Sequence, residues 1–140
     1  MVLDWMEVAT DVLRGIGAVD TSLENLPELI EAQEAAISRI RTSDPERAVG
    51  GNGDGDAMLG AIIYRDELQL RLLEARKLSG AVHRALDALN DKEAYVLEQL
   101  LIKRRPVEAL CQEYSVEPNT VYRWKRTALE LFTRNLYGCK

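Results

Sequence analysis

Along the opening VLDWMEVATDVLRGIG, apolar Val2, Trp5, Met6, Ala9, Val12, Leu13 and Ile16 recur at a helical stride. This spacing predicts a short amphipathic helix, punctuated at its end by Gly15 and Gly17. Thr21 or Ser22 offers a polar cap for a second helix that runs to about Thr42. Along it Leu23, Leu26, Ile30, Gln33, Ile37 and Ile40 alternate steps of three and four. Such a narrow, coiled-coil-like seam is not stable alone and requires a partner. Asp44-Pro45 ends it, and Gly50–Asp56 (GGNGDGD) reads as a flexible connection, placing a loop near 43–56. A long helix is expected from about Ala57 towards Leu89, with Met58, Ala61, Arg65, Leu68, Leu72, Ala75, Ser79, Val82, Leu86 and Leu89 on one line. The two long elements suit an antiparallel hairpin. Gly80 costs on the order of 1 kcal/mol relative to Ala, so a bend or break is expected near Ser79-Gly80.

After Leu89 the elements shorten. Val96, Leu97, Leu100 and Leu101 form one apolar face, and Val107, Leu110 and Tyr114 form another on a helix that starts at about Pro106. A further helix begins at Pro118, with Glu117 at or near its N-cap and Val121, Trp124, Ala128, Leu129 and Phe132 on its buried side. Only Ser115–Glu117 remain as a connector. Helices joined so tightly cross steeply, the geometry that lays the second one in a major groove. Cys111 is the small residue at the close approach, Val116 plugs the turn, and Val121 and Trp124 seal the crossing. Ser115 stands where a left-handed backbone more often calls for glycine.

The stretch Val107–Arg126 (VEALCQEYSVEPNTVYRWKR), preceded by LNDKEAYVLEQLLIKRR and followed by TALELF, resembles the region 4 helix-turn-helix of bacterial sigma factors. The resemblance covers roughly Leu89 to Leu136. Together with the preceding hairpin, the order of elements resembles small phage-encoded transcription regulators of the RinA and ArpU type, a group associated with control of late phage genes. It implies an all-α protein with two parts. Residues 1–88 would form a coiled-coil-like helical arm, and residues 89–140 a DNA-binding domain.

Charge sharpens this picture. The 140 residues carry a net charge of −5, yet residues 91–140 hold 9 basic against 7 acidic side chains, whereas residues 1–90 hold 9 against 16. Lys103, Arg104 and Arg105 form one basic group, and Arg123, Lys125 and Arg126 a second, so a local positive face is expected on an acidic chain. Asn119, Thr120 and Arg123 would reach base edges from the first turns of the recognition helix, with Tyr122 and Arg126 next along that face. Lys103, Arg104, Arg105 and Lys125 are better suited to phosphates. Glu117 reads as a cap rather than a base contact, and Trp124 as core rather than a stacking platform.

Other chemistry finds little footing. Asn52, Asp54 and Asp56 alternate like the first ligands of a calcium loop, but Ala57 and Ile63 occupy the positions that require Gly and Glu. His83 has no Cys/His cluster around it, and no phosphate loop, nucleophile elbow or zinc motif occurs, so neither an enzyme nor a cofactor is expected. Cys111 and Cys139 are too few for a disulfide framework and are expected to be reduced. No apolar run spans a membrane, and a cytoplasmic protein of the bacterial host cell is expected. The expected partners are double-stranded DNA, RNA polymerase, and a second copy joined through the N-terminal helices. The alternatives are a sigma-like polymerase adaptor that never reads DNA and a phage DNA-packaging recognition subunit.

Overall fold

Asp4 starts the first helix by accepting bonds at Oδ1 from the amides of Met6 and Glu7, at 3.1 and 3.4 Å. The computed structural model describes residues 2–42 and 52–138. These form α1 (Trp5–Thr42), α2 (Asn52–Asp87), α3 (Asp91–Leu97), a π-helical turn (Glu98–Ile102), α4 (Val107–Tyr114) and α5 (Pro118–Tyr137). The fold is all-α, with no strand among the described residues.

Three boundaries differ from the sequence expectation. The helix predicted to end at Gly15 and Gly17 does not end there; α1 runs through both glycines and through Pro27 to Thr42. Each glycine costs about 1 kcal/mol relative to alanine, and burial outweighs that cost. Ala9, Leu13 and Ile16 are buried in one compact unit of the chain and Leu26 in the other. Secondly, α2 starts at Asn52 rather than at Ala57, so the last part of the expected loop, 52–56, is helical; residues 43–51 lie outside the described residues. Thirdly, the helix is not interrupted at Ser79-Gly80. Ser79 is buried there, and a side chain at Gly80 would meet only the mobile end of Arg84, 3.0 Å away.

The chain forms two compact units. In the first, Asp20–Lys77, Leu26, Ile37 and Leu68 are buried, and Gln33 Nε2 donates to the Ala61 carbonyl at 3.0 Å. The predicted polar interruption of the seam is therefore a satisfied tie between α1 and α2 within one chain. Every seam position predicted from Leu23 to Ile40, and from Met58 to Leu89, is buried or half-buried.

The second unit combines Met1–Val19 with Leu78–Lys140. Its packing boundary thus falls inside α1 and α2 and not at residue 88. One core joins Ala9, Leu13 and Ile16 to Val82, Ala85 and Leu86, to Leu97 and Leu101, and to Ala128, Leu129 and Phe132. Polar ties follow the same connections. Asn135 Nδ2 donates to the Ala85 carbonyl at 3.2 Å, Arg104 Nη2 to the Arg14 carbonyl at 3.3 Å, and Trp5 packs on Tyr137 with centroids 4.8 Å apart.

Asn90 and Glu93 cap α3 reciprocally: Asn90 Oδ1 accepts from the Glu93 amide at 2.8 Å, and Glu93 Oε1 from the Asn90 amide at 3.1 Å. The helix then widens into the π-turn, where the Lys103 amide reaches the Glu98 carbonyl at 2.8 Å. That turn buries three consecutive residues, Gln99, Leu100 and Leu101. Leu97 and Leu101 enter the core shared with α1, while Val96 and Leu100 enter a second core against α4 and α5.

Candidate nucleic-acid interface

The turn between α4 and α5 rests on one left-handed residue. Ser115 sits at φ 56°, ψ 47°, its amide bonded to the Cys111 carbonyl, and the Val116 amide reaches the same carbonyl at 3.1 Å. Glu117 is extended at the N-cap of α5 without a side-chain cap bond, and its carbonyl accepts from the Thr120 amide at 3.0 Å. Pro118 follows in the first turn. Because Ser115 bears a Cβ in a conformation that favours glycine, Ser115→Gly is expected to stabilise the chain by about 0.5–1 kcal/mol. The check is the urea midpoint, which should rise at unchanged slope.

Behind this turn, Val96, Leu100, Leu110 and Val121 are buried together, with Val107, Cys111, Tyr114, Val116 and Trp124 packed around them. These include the residues expected at the close approach, the plug and the seal. Trp124 meets the Tyr114 ring edge-on at 5.2 Å, Tyr114 meets Tyr95 at 6.2 Å, and Lys92 Nζ lies 4.2 Å from the centre of the Trp124 ring. Tyr95 donates its hydroxyl to Glu113 Oε1. That hydrogen bond, and after it desolvation, raise the Tyr95 phenol above its ordinary value of 10.0, with Arg105 opposing. The phenol therefore stays protonated and remains a donor to Glu113. Sequence reasoning missed Lys92 and Glu113; the capping pair Asn90–Glu93, which starts the helix bearing Lys92, was the available signal.

With Val121, Ala128 and Leu129 facing inward, Asn119, Tyr122, Arg123 and Arg126 share the solvent side of α5. Thr120 and Lys125 lie at its margins, half-buried. Arg126 is held by Glu130, Nε to Oε1 at 3.3 Å, whereas Arg123 and Lys125 make no hydrogen bond or ion pair among the described residues. The second basic group is placed differently. Lys103 pairs with Glu98 at 3.6 Å, and Arg104 adopts φ 55° and is bonded to Arg14. Arg105 Nη1 donates to the buried Gln99 at 2.7 Å and lies 3.7 Å from Glu113. The π-turn thus anchors Arg105 in a structural role that apolar periodicity could not reveal. Exposed pairs such as Lys103–Glu98 contribute about 0–1 kcal/mol.

Cys111 has a free thiol, and Cys139 lies outside the described residues. His83 is exposed on α2. Among the described residues no group of three His, Cys, Asp or Glu converges as a metal site, and no helix is long and apolar enough to cross a membrane. Comparison with family models, curated proteins and solved structures finds no match to this chain.

Proposed function

We propose that this chain is a sequence-specific, DNA-binding transcription regulator of the phage-encoded kind that its C-terminal residues resemble. In this reading α5 is the recognition helix, and its first turns enter a major groove. The observation that carries the reading is the solvent side of α5: Asn119, Tyr122 and Arg123 project from a helix whose other side is locked into two cores, and Arg123 has no hydrogen-bond or ion-pair partner among the described residues. A planar guanidinium held by a rigid helix suits the paired acceptors of guanine, and the Asn119 amide suits adenine. Tyr122 and Arg126 lie next along the same face, and Lys125 supplies a phosphate contact, with Lys103 and Arg104 contributing from the connector.

Fluorescence anisotropy against a mixed pool of short duplexes, across a salt series and with sequencing of the retained fraction, tests this. Salt-sensitive binding with an enriched motif is expected. Arg123→Ala should weaken binding to that motif by about 1–3 kcal/mol, roughly 10- to 100-fold, and relax the sequence preference at one position. Lys125→Ala should weaken all duplexes alike and lower the salt slope by about 1. Absence of binding even at low salt would reject DNA reading and leave polymerase binding as the activity to test.

A further inference from the structure

Helix α2 carries a second seam that nothing among the described residues covers. Leu59, Ile63, Asp66, Leu70, Leu73 and Lys77 alternate steps of four and three, the stride of a coiled-coil face, on the side away from the buried seam of Met58, Ala61, Arg65, Leu68, Leu72 and Ala75. All six are exposed, with Leu59 at 57%, Ile63 at 54%, Leu70 at 49% and Leu73 at 48%. Aliphatic side chains scattered singly on a surface need no explanation, but four on one heptad line, two on each side of Asp66, suit a partner helix.

We infer that this seam pairs antiparallel with the same seam of a second copy, making the chain a homodimer through α2. The two charges within the line choose the partner and its direction. An antiparallel pair centred between Arg71 and Leu72 sets Leu70 against Leu73 of the second copy and Asp66 against its Lys77. A parallel pair would set Asp66 over Asp66 and Lys77 over Lys77. The two neighbouring antiparallel registers that keep the heptad would oppose Lys77 to Leu59 and Asp66 to Leu70 in one direction, and Lys77 to Leu73 with Asp66 against Arg84 in the other. The parallel pair opposes like charges and both neighbouring registers set Lys77 against leucine, whereas the first register matches both charges and meets only Gly80 and Arg84 at its ends, opposite Ile63 and Leu59. The flanks do not decide the matter, since Glu67 and Glu74 oppose each other on one side while Gln69 and Arg76 meet on the other. Asp66 is already drawn to Arg65 at 3.2 Å, a contact 26% and 58% exposed at its two ends that a second cation can share. Lys77 makes no hydrogen bond or ion pair among the described residues.

The dimer supplies the second module that a small DNA reader needs, and its failure is separable from failure of that reading. Mass reports pairing with no DNA present, whereas Arg123→Ala reports DNA reading. Sedimentation equilibrium of the full chain over a concentration series is expected to give a mass that rises from 15.7 kDa towards twice that value. Asp66→Lys, and separately Lys77→Asp, should each shift the midpoint to a concentration on the order of 10-fold higher, because each opposes like charges. The double exchange D66K/K77D should return the midpoint to that of the parent chain, and Leu70→Glu should abolish pairing. Circular dichroism of each variant should match the parent, since all these positions are exposed. A mass constant at 15.7 kDa, a mass above a dimer, or single exchanges that the double exchange does not rescue would overturn the inference.

Discussion

Replacing Phe132 with alanine is expected to destabilise the chain by about 3–5 kcal/mol, the usual cost of removing a fully buried aromatic ring. Phe132 is 0% exposed and lies in the core that gathers α1, α2, α3, the π-turn and α5. The loss would fall on several interfaces at once, so the surroundings have no single direction in which to collapse. Small domains are stable by about 5–15 kcal/mol, making this a large fraction of the total. Thermal unfolding followed by circular dichroism should show a midpoint lowered by on the order of 10 °C or more. A shift of only one or two degrees would mean that Phe132 is not at the centre of that core.

The second large effect concerns where the C-terminal unit begins. A fragment of residues 89–140, the cut that the sequence pattern suggests, is expected not to unfold cooperatively. It lacks Ala9, Leu13 and Ile16 as well as Val82, Ala85 and Leu86, which share one core with Leu97, Leu101, Ala128, Leu129 and Phe132. Each fully buried large aliphatic contributes about 1.5–3 kcal/mol, so the loss of Leu13, Ile16, Val82 and Leu86 amounts to about 6–12 kcal/mol, comparable to the whole stability of an ordinary small domain. The fragment would also expose the inner face of α5 to water. Urea titration monitored by far-ultraviolet circular dichroism should show a broad, shallow change for the fragment and a sigmoidal transition for the full chain. A sigmoidal transition in the fragment would locate the independent folding unit after residue 88.

Most of the helical architecture could be read from the spacing of apolar residues. The seams on α1 and α2, the faces of α4 and α5, Pro118 in the first turn of α5 and the left-handed Ser115 all follow from local rules. A helix must turn one stripe inward, and a three-residue connector admits few backbone paths. The candidate contacts Asn119, Tyr122, Arg123 and Arg126 were legible for the same reason, because they are what remains once Val121, Trp124 and Ala128 are assigned inward.

The tertiary structure decided what local rules leave open. Gly15 and Gly17 resemble a helix end, yet α1 runs through them, with Ala9, Leu13 and Ile16 buried on the near side and Leu26 buried beyond. The signal existed in the unbroken stride across the glycines, but its strength depends on partners far away in the chain. The π-turn is likewise a compromise between two cores, since Val96 and Leu100 serve one while Leu97 and Leu101 serve the other. That turn in turn fixes Arg105 on Gln99 and sets Arg104 in a left-handed conformation. Periodicity specifies which face of a helix is buried, because that depends on neighbours three and four residues away. It does not specify which distant face covers it, because many apolar stripes of similar width can meet, and only their simultaneous packing selects one arrangement.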